Sequence, residues 1–156
     1  MKVLGRTGGF IALVMAVGLG AAVASESAEV PASPIVQARM DAMRAMKNDV
    51  KLIDDMLSGK KYLSVKRLQM TLDKIDAGSG EAMLKLFPQG SAGKPSDADP
   101  KIWTQWDDFT QLAGHFKQVA GQFSAAARAG AGADQLKENY HTLREACKSC
   151  HDKYRL

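Results

Sequence analysis

The residues with the clearest chemistry lie six positions from the C-terminus, in the segment Cys147-Lys148-Ser149-Cys150-His151. Two thiols three positions apart can add across the two vinyl groups of one haem, and a histidine that follows at once can bind its iron. In a helix, which turns about 100° per residue, Cys147, Cys150 and His151 share one face. The spacing therefore predicts one covalently attached c-type haem, with His151 as its proximal ligand.

Three other interpretations of the two cysteines stay open. A disulfide between Cys147 and Cys150 is sterically feasible in an exported protein, but it leaves His151 without a role. A thioredoxin-like redox pair normally accompanies a βαβ pattern, and no strand pattern precedes this motif. A structural zinc site needs a fourth ligand, for which only His115 and His141 could supply a nitrogen. We favour haem attachment over all three, and we do not expect His115 or His141 to bind the haem iron.

The N-terminus predicts export. Lys2 and Arg6 precede an apolar run of 15 residues, 10–24, which ends in the small-x-small pattern Ala22-Val23-Ala24. This run is shorter than the roughly 20 residues that a membrane-spanning helix needs. We therefore predict that residues 1–24 are a cleaved signal peptide, that the protein is periplasmic, and that it has no stable membrane insertion. An uncleaved membrane anchor is the alternative.

Composition narrows the function classes. Cleavage would leave 132 of the 156 residues, a size suited to one domain, and would lower the formal charge from +4 to +2. That excess is too small to favour nucleic acid or anionic lipid as a partner. Both cysteines lie in the C-terminal motif, so no disulfide is expected elsewhere. We find no nucleophile and base pattern, and we expect a carrier or binding protein rather than an enzyme.

Helical periodicity accounts for the rest of the chain. After a short N-terminal extension at 25–33, we predict one haem domain at 34–156. Its four helices are expected at 34–58, 61–77, 99–129 and 133–154, with one or two further turns within 81–87 and a long connection at 88–100. Ser33-Pro34 is a typical cap and first residue of a helix.

Each predicted helix has a stripe of residues spaced by three and four, which predicts its inner face. The stripes are Arg39, Met43, Met46, Val50, Ile53 and Leu57; Val65, Leu68, Leu72 and Ile75; Ile102, Trp106, Phe109, Ala113, Phe116, Ala120 and Phe123; and Leu136, Tyr140, Leu143, Cys147, Cys150 and Tyr154. Four such helices with mostly short connections predict an all-α, antiparallel, up-down-up-down four-helix bundle, with the haem between helices near one end.

The chain resembles the cytochrome c-prime family, the class II c-type cytochromes. The segment from Cys147 to Arg155 looks like the family's CxxCHxxYR ending, whereas class I cytochromes c carry the motif near the N-terminus. In the first predicted helix, Arg39-x3-Met43-x2-Met46 followed by Gly59 is similar to the family's pattern. The pair Ile102-Trp103 resembles the start of the family's third helix. The resemblance covers essentially the whole chain after the signal peptide.

The resemblance implies roles for individual residues. Cys147 and Cys150 would carry the thioethers and His151 the proximal bond to iron. Arg39 corresponds to the family's propionate-binding arginine. Arg155 corresponds to the basic residue beside the proximal histidine, although a cation is also favoured at any helix C-terminus.

Met43 occupies the position that faces the iron from the distal side in this family. A thioether sulfur there would give His/Met ligation, which suits a single-electron carrier that serves redox partner proteins. If Met43 only covers the iron, the haem is five-coordinate and binds NO or CO. From the sequence we favour ligation by Met43. Met46, three residues further along the same face, is expected to line the haem pocket and is the fallback ligand.

Two further hypotheses complete the sequence-based predictions. A haem-free helical binding protein with a disulfide is a third function class. The resemblance also implies a homodimer through the first two helices, where we expect Met40 and Met56 to lie outside the inner stripe.

Overall fold

The structure, a computed structural model, describes residues 32–156, so the predicted signal peptide lies outside the described residues. It contains the helices α1 Pro34–Leu57, α2 Val65–Ala77, α3 Glu81–Leu84, α4 Lys101–Thr104, α5 Trp106–Arg128 and α6 Ala133–Tyr154. The long helices α1, α2, α5 and α6 form the predicted antiparallel four-helix bundle, and residues 32–156 contain no strand. The all-α fold class is confirmed. Within the same residues, no helix combines the length and the apolar character needed to cross a membrane.

Two helix boundaries differ from the prediction. Helix α2 begins at Val65 rather than at residue 61, because Ser64 caps it by accepting a hydrogen bond from the Arg67 backbone N–H at 3.3 Å. The predicted third helix is divided into α4 and α5 at Gln105, whose φ of −122° and ψ of 40° are not helical. Helix α1 begins at Pro34 as predicted, although the Ser33 side chain makes no capping hydrogen bond.

The four sides of the bundle are not packed equally. Helix α5 makes its most extensive contacts with α6, and α2 packs against both α1 and α5. The side between α1 and α6 has the fewest contacts of the four. Because the candidate haem residues of α1 and α6 were predicted on inner faces, this is the side where they can accommodate a group between the helices.

The interior forms two clusters. The helix cluster consists of buried residues from the four long helices only: Ile53, Met56, Leu68, Leu72, Ile75, Phe116, Val119, Ala120, Phe123, Ala127, Leu136, Leu143 and Ala146. The aromatic cluster lies at the end that carries the short helices and the long connection: Met83, Phe87, Ala98, Ile102, Phe109, Ala113 and Tyr154. Most residues of the predicted inner stripes are found in one of these two clusters.

Three predicted orientations are wrong. Met56, expected outside the inner stripe, is only 2% exposed and belongs to the helix cluster. Val65 and Trp106, expected inside, are 52% and 36% exposed. Each is the first residue of its helix, and helical side chains lean toward the N-terminus. Their side chains therefore extend past the helix start, where the bundle offers less cover.

Candidate functional site

The two cysteines lie on α6 at the junction between the two clusters. Both are free and half-buried. Cys147 packs against the helix cluster and Cys150 against the aromatic cluster. No disulfide joins them, and residues 32–156 contain no group of three or more His, Cys, Asp or Glu side chains placed to hold a metal ion. Both thiols are thus placed to form bonds to one group that contacts both clusters.

The surroundings of the thiols keep them protonated. Burial raises the pKa of Cys147 to about 11, with a further contribution from the neighbouring Cys150. Burial, followed by the charge of Asp108, raises the pKa of Cys150 to about 11 as well. A reactive redox pair needs at least one thiol with a lowered pKa. The site therefore does not favour the thioredoxin-like interpretation.

His151 follows the second cysteine in the last turns of α6, with its side chain exposed. Desolvation by neighbouring protein atoms, followed by the positive charge of Arg155, lowers the pKa of this largely exposed imidazole. The imidazole is therefore mainly neutral at pH 7, which is the form that binds iron. The Arg155 guanidinium donates to the Asp97 carboxylate at 3.2 Å.

Arg39 is a buried cation, only 2% exposed, on the inner face of α1. Its guanidinium donates to the Leu86 carbonyl at 3.2 Å, to the Ser91 hydroxyl and carbonyl at 2.8 and 2.7 Å, and to the Ser96 hydroxyl at 2.7 Å. It also lies over the Phe87 ring, 4.9 Å from the ring centre.

No described carboxylate pairs with Arg39, and its buried Nε atom has no hydrogen-bond partner among residues 32–156. Burial without a counter-charge lowers the pKa of Arg39. A buried cation with an unused donor is an environment that favours an anion. Arg39 therefore fits the propionate-binding role that the resemblance implied, although its other donors are held by the 86–96 segment.

Met43 and Met46, both half-buried on α1, are placed differently. Met43 packs against the aromatic cluster, as Cys150 does. Met46 packs against the helix cluster and, with Ile75 and Gly78 of α2, lines a pocket of about 230 Å³ between α1 and α2. Its Cε atom lies 3.6 Å from the position that a Cβ would take at Gly78. The structure thus turns Met46 toward α2, which does not favour it as the fallback ligand.

These observations together fit a haem. Two half-buried thiols and the half-buried Met43 belong to α6 and α1, the neighbouring helices with the fewest mutual contacts, and the buried Arg39 has an unused donor. The two histidines that were considered as ligands, His115 and His141, are both exposed on α5 and α6.

The last turn of α6 is held by contacts that sequence patterns did not indicate. The Tyr154 hydroxyl donates to Asp108 Oδ2 at 2.5 Å, its oxygen also lies 3.1 Å from Gln105 Oε1, and Tyr154 is only 3% exposed. Lys153 Nζ lies 2.9 Å from the same Asp108 oxygen. Asp108 was missed because it lies 46 residues from Tyr154 in the sequence. Its only local signal is its place beside the buried Phe109.

A family model described as Cytochrome C' matches residues 34–155. Cytochrome c-554 of Cereibacter sphaeroides is 39% identical over 74 residues, which are 46% of this chain and 47% of that protein. The chain thus spans about half the length of this relative. Cytochrome c' of Rhodopseudomonas palustris is 30% identical over 146 residues, covering 93% of this chain and 92% of that protein.

Solved structures are similar as well. A nitric oxide complex of a variant of cytochrome c prime from Alcaligenes xylosoxidans has a TM-score of 0.70 and 26% identity, covering 78% of this chain and 93% of that one. A second cytochrome c' structure has a TM-score of 0.71 and 25% identity, with coverages of 78% and 94%.

Proposed function

The chain belongs to the cytochrome c' family, whose cofactor is one covalent haem c, and from this we propose that it binds NO or CO at its haem. In this proposal Met43 covers the distal side without bonding to the iron. When bound, the haem supplies an iron that exchanges one electron and takes small diatomic ligands. The observation that carries the proposal is the similarity, at 26% identity and a TM-score of 0.70, to a cytochrome c prime solved with nitric oxide.

We propose the following roles for individual residues in haem binding. Cys147 and Cys150 would hold the haem on α6, and the neutral His151 imidazole would bind its iron. Arg39 supplies a donor to a propionate from its unused Nε atom. Met43, packed against the aromatic cluster, restricts the distal side to small ligands.

Methionine ligation, favoured from the sequence alone, becomes the second candidate. Met43 and Cys150 pack against the same aromatic cluster, and this shared packing supports a thioether close to the haem. In that case the protein is a low-spin electron carrier that meets redox partner proteins. We propose the periplasm for either function, from the predicted signal peptide, and we propose no enzymatic turnover for either. A homodimer through α1 and α2 also stays a proposal.

The test is the absorption and electron paramagnetic resonance spectra of the ferric and ferrous holoprotein, with and without CO and NO. We expect a high-spin ferric spectrum and a ferrous spectrum that changes when CO is added. Met43→Ala should stay high-spin and bind CO faster, because the cover is smaller. Met40→Ala, a half-buried methionine elsewhere on α1, is the matched control and should match the wild type.

A low-spin wild-type spectrum that does not change with CO, together with a high-spin spectrum in Met43→Ala, would instead establish the electron carrier. A colourless protein would remove both candidates and leave the haem-free binding protein. A protein that loses its haem to acid acetone would remove the covalent c-type assignment.

A further inference from the structure

The last turn of α6 carries His151 only three residues before the helix ends at Tyr154. The final turn of any helix lacks continuing backbone hydrogen bonds and frays easily. Here Arg155 already has an extended backbone, with φ of −110° and ψ of 132°. The turn that presents His151 therefore needs contacts from outside the helix to keep a single orientation.

Part of this support comes from the backbone of the 97–99 segment. The Asp99 N–H donates to the Tyr154 carbonyl at 3.0 Å, and the Leu156 N–H donates to the Asp97 carbonyl at 2.9 Å. These bonds attach the chain after His151 to the long connection. They do not attach it to a long helix of the bundle.

The attachment to a long helix is made by Asp108. This residue lies in the first turn of α5, where the helix dipole favours a carboxylate, and it precedes the buried Phe109. Its Oδ2 atom accepts from the Tyr154 hydroxyl at 2.5 Å and lies 2.9 Å from Lys153 Nζ. The Tyr154 ring meets Phe109 edge-on, with ring centres 5.4 Å apart. One carboxylate on a rigid helix thus binds two consecutive side chains of the turn that carries His151.

We propose that Asp108 is a positioning residue: by holding Tyr154 and Lys153, it sets the orientation in which His151 meets the haem iron. This inference rests on the proposed haem binding, but it holds whether Met43 is a ligand or only a cover. Outer partners that orient a metal-binding histidine typically change metal affinity or activity about 10- to 100-fold when they are removed.

The protonation states agree with this geometry. The hydrogen bond from Tyr154, followed by that from Lys153, lowers the pKa of Asp108, so its carboxylate is ionised at pH 7. Burial, followed by the hydrogen bond to Asp108, raises the pKa of Tyr154, so its hydroxyl remains a donor. A hydrogen bond to an ionised acceptor is stronger than one between neutral groups.

The test uses the holoprotein of Asp108→Asn, Tyr154→Phe and the double variant. Tyr154→Phe keeps the ring against Phe109 and removes only the hydroxyl, so it tests the contact without opening a cavity. Asp107→Asn is the matched control, because it removes the same charge from the adjacent residue, whose exposed side chain contacts no described partner. Two quantities are compared: the midpoint potential and, in the ferrous protein, the iron–histidine stretching frequency from resonance Raman spectra.

We expect Asp108→Asn and Tyr154→Phe to shift both quantities in the same direction, and the double variant to shift them no further than the larger single change. Such non-additivity shows that the two residues act through one contact. We also expect CO affinity to change about tenfold in each single variant, and Asp107→Asn to leave all three quantities at their wild-type values.

Two results would overturn the inference. If Asp108→Asn and Tyr154→Phe lower only the melting temperature and leave the potential and frequency unchanged, Asp108 is merely structural. If Asp107→Asn reproduces the shift, the effect comes from the loss of one negative charge near the haem and not from the contact between Asp108 and Tyr154. A wild type that does not bind CO refutes the proposed gas binding only, because the potential still reports on Asp108. A wild type without haem refutes the proposed function itself.

Discussion

The two ends of the bundle differ in how completely their own side chains fill them. In the helix cluster, Ile53, Leu68, Leu72, Phe123 and Leu143 have no exposed surface at all. Every member of that cluster comes from a long helix. The aromatic cluster draws on two short helices and a connection as well as on α5 and α6, and half-buried Met43, Trp103 and Cys150 border it.

From this difference we expect the two ends to depend on a bound haem to different degrees. The helix cluster is built from residues at regular helical spacing on four long helices, although half-buried residues, Cys147 among them, border it as well. The aromatic cluster leaves apolar side chains partly exposed on the side toward α1 and α6, where packing is sparsest. A covalent haem at Cys147 and Cys150 would cover that surface. We therefore expect one half that the long helices pack by themselves to a large extent, and one half that a bound haem would cover more fully.

Removing both haem-attachment cysteines should produce the largest difference in stability between the helix cluster and the aromatic cluster. In Cys147→Ala with Cys150→Ala we expect no covalent haem, faster amide hydrogen exchange in α3, α4 and the 86–100 segment, and continued protection in the helix cluster. The measurement is haem content together with hydrogen exchange. Ser149→Ala, between the cysteines, should keep its haem. A haem-free variant that unfolds as cooperatively as the wild type would show that the haem is not part of the core.

A cavity in the helix cluster should destabilise the whole protein. Phe123→Ala removes a ring with no exposed surface, and we expect a loss of about 3–5 kcal/mol in the free energy of unfolding. Denaturant titration followed by circular dichroism gives this value. His115→Ala, at an exposed position on the same helix, is the control and should change stability little. A small loss of unfolding free energy in Phe123→Ala would contradict the expectation that the helix cluster is tightly packed by the polypeptide itself.

Arg39 should stabilise the end of the bundle that contains the aromatic cluster. Arg39→Ala leaves the hydroxyls of Ser91 and Ser96 without their buried partner, and we expect a loss of about 2 kcal/mol. The 86–96 segment should exchange its amide hydrogens faster, while the helix cluster is unaffected. Arg39→Lys keeps the charge but cannot reach both serines in the same geometry, so it should recover only part of the stability. An equal increase in amide hydrogen exchange in both clusters would contradict a role of Arg39 confined to the aromatic end.

The smallest expected effect is the pH dependence of stability that Asp55 contributes, at the end of α1 opposite to Arg39. The hydrogen bond from Lys51, followed by that from Lys61, lowers the pKa of Asp55 below its value in the unfolded chain. The resulting stabilisation is present above the unfolded-state pKa and is lost as the pH falls through the lower folded-state pKa. Asp55→Asn should therefore be less stable than the wild type at pH 7 and equal to it in strong acid. The check is thermal unfolding at several pH values, with the exposed Asp41→Asn as a control.

Much of this architecture could be predicted from local patterns. The stripes of the four long helices and the cysteines of α6 depend on spacings of three and four residues, which a helix converts into faces regardless of its partners. Two of the three wrong orientations lie where a helix starts, and the third, Met56, lies near the end of α1. Val65 and Trp106 were assigned to inner faces by their spacing, but a first residue has no preceding turn to cover. The break at Gln105 was also missed, because nothing in the sequence around it interrupts the helical pattern.

The sequence by itself determined the helices, the attachment motif and the family, because each of these depends on residues close together in the chain. Only the tertiary structure showed that Arg39 is bound by Ser91 and Ser96, 52 and 57 residues away. It alone also placed Asp108 against Tyr154 and turned Met46 toward α2. These contacts arise when helices and connections pack together, and packing brings side chains within hydrogen-bond distance without leaving a periodic signal in the sequence.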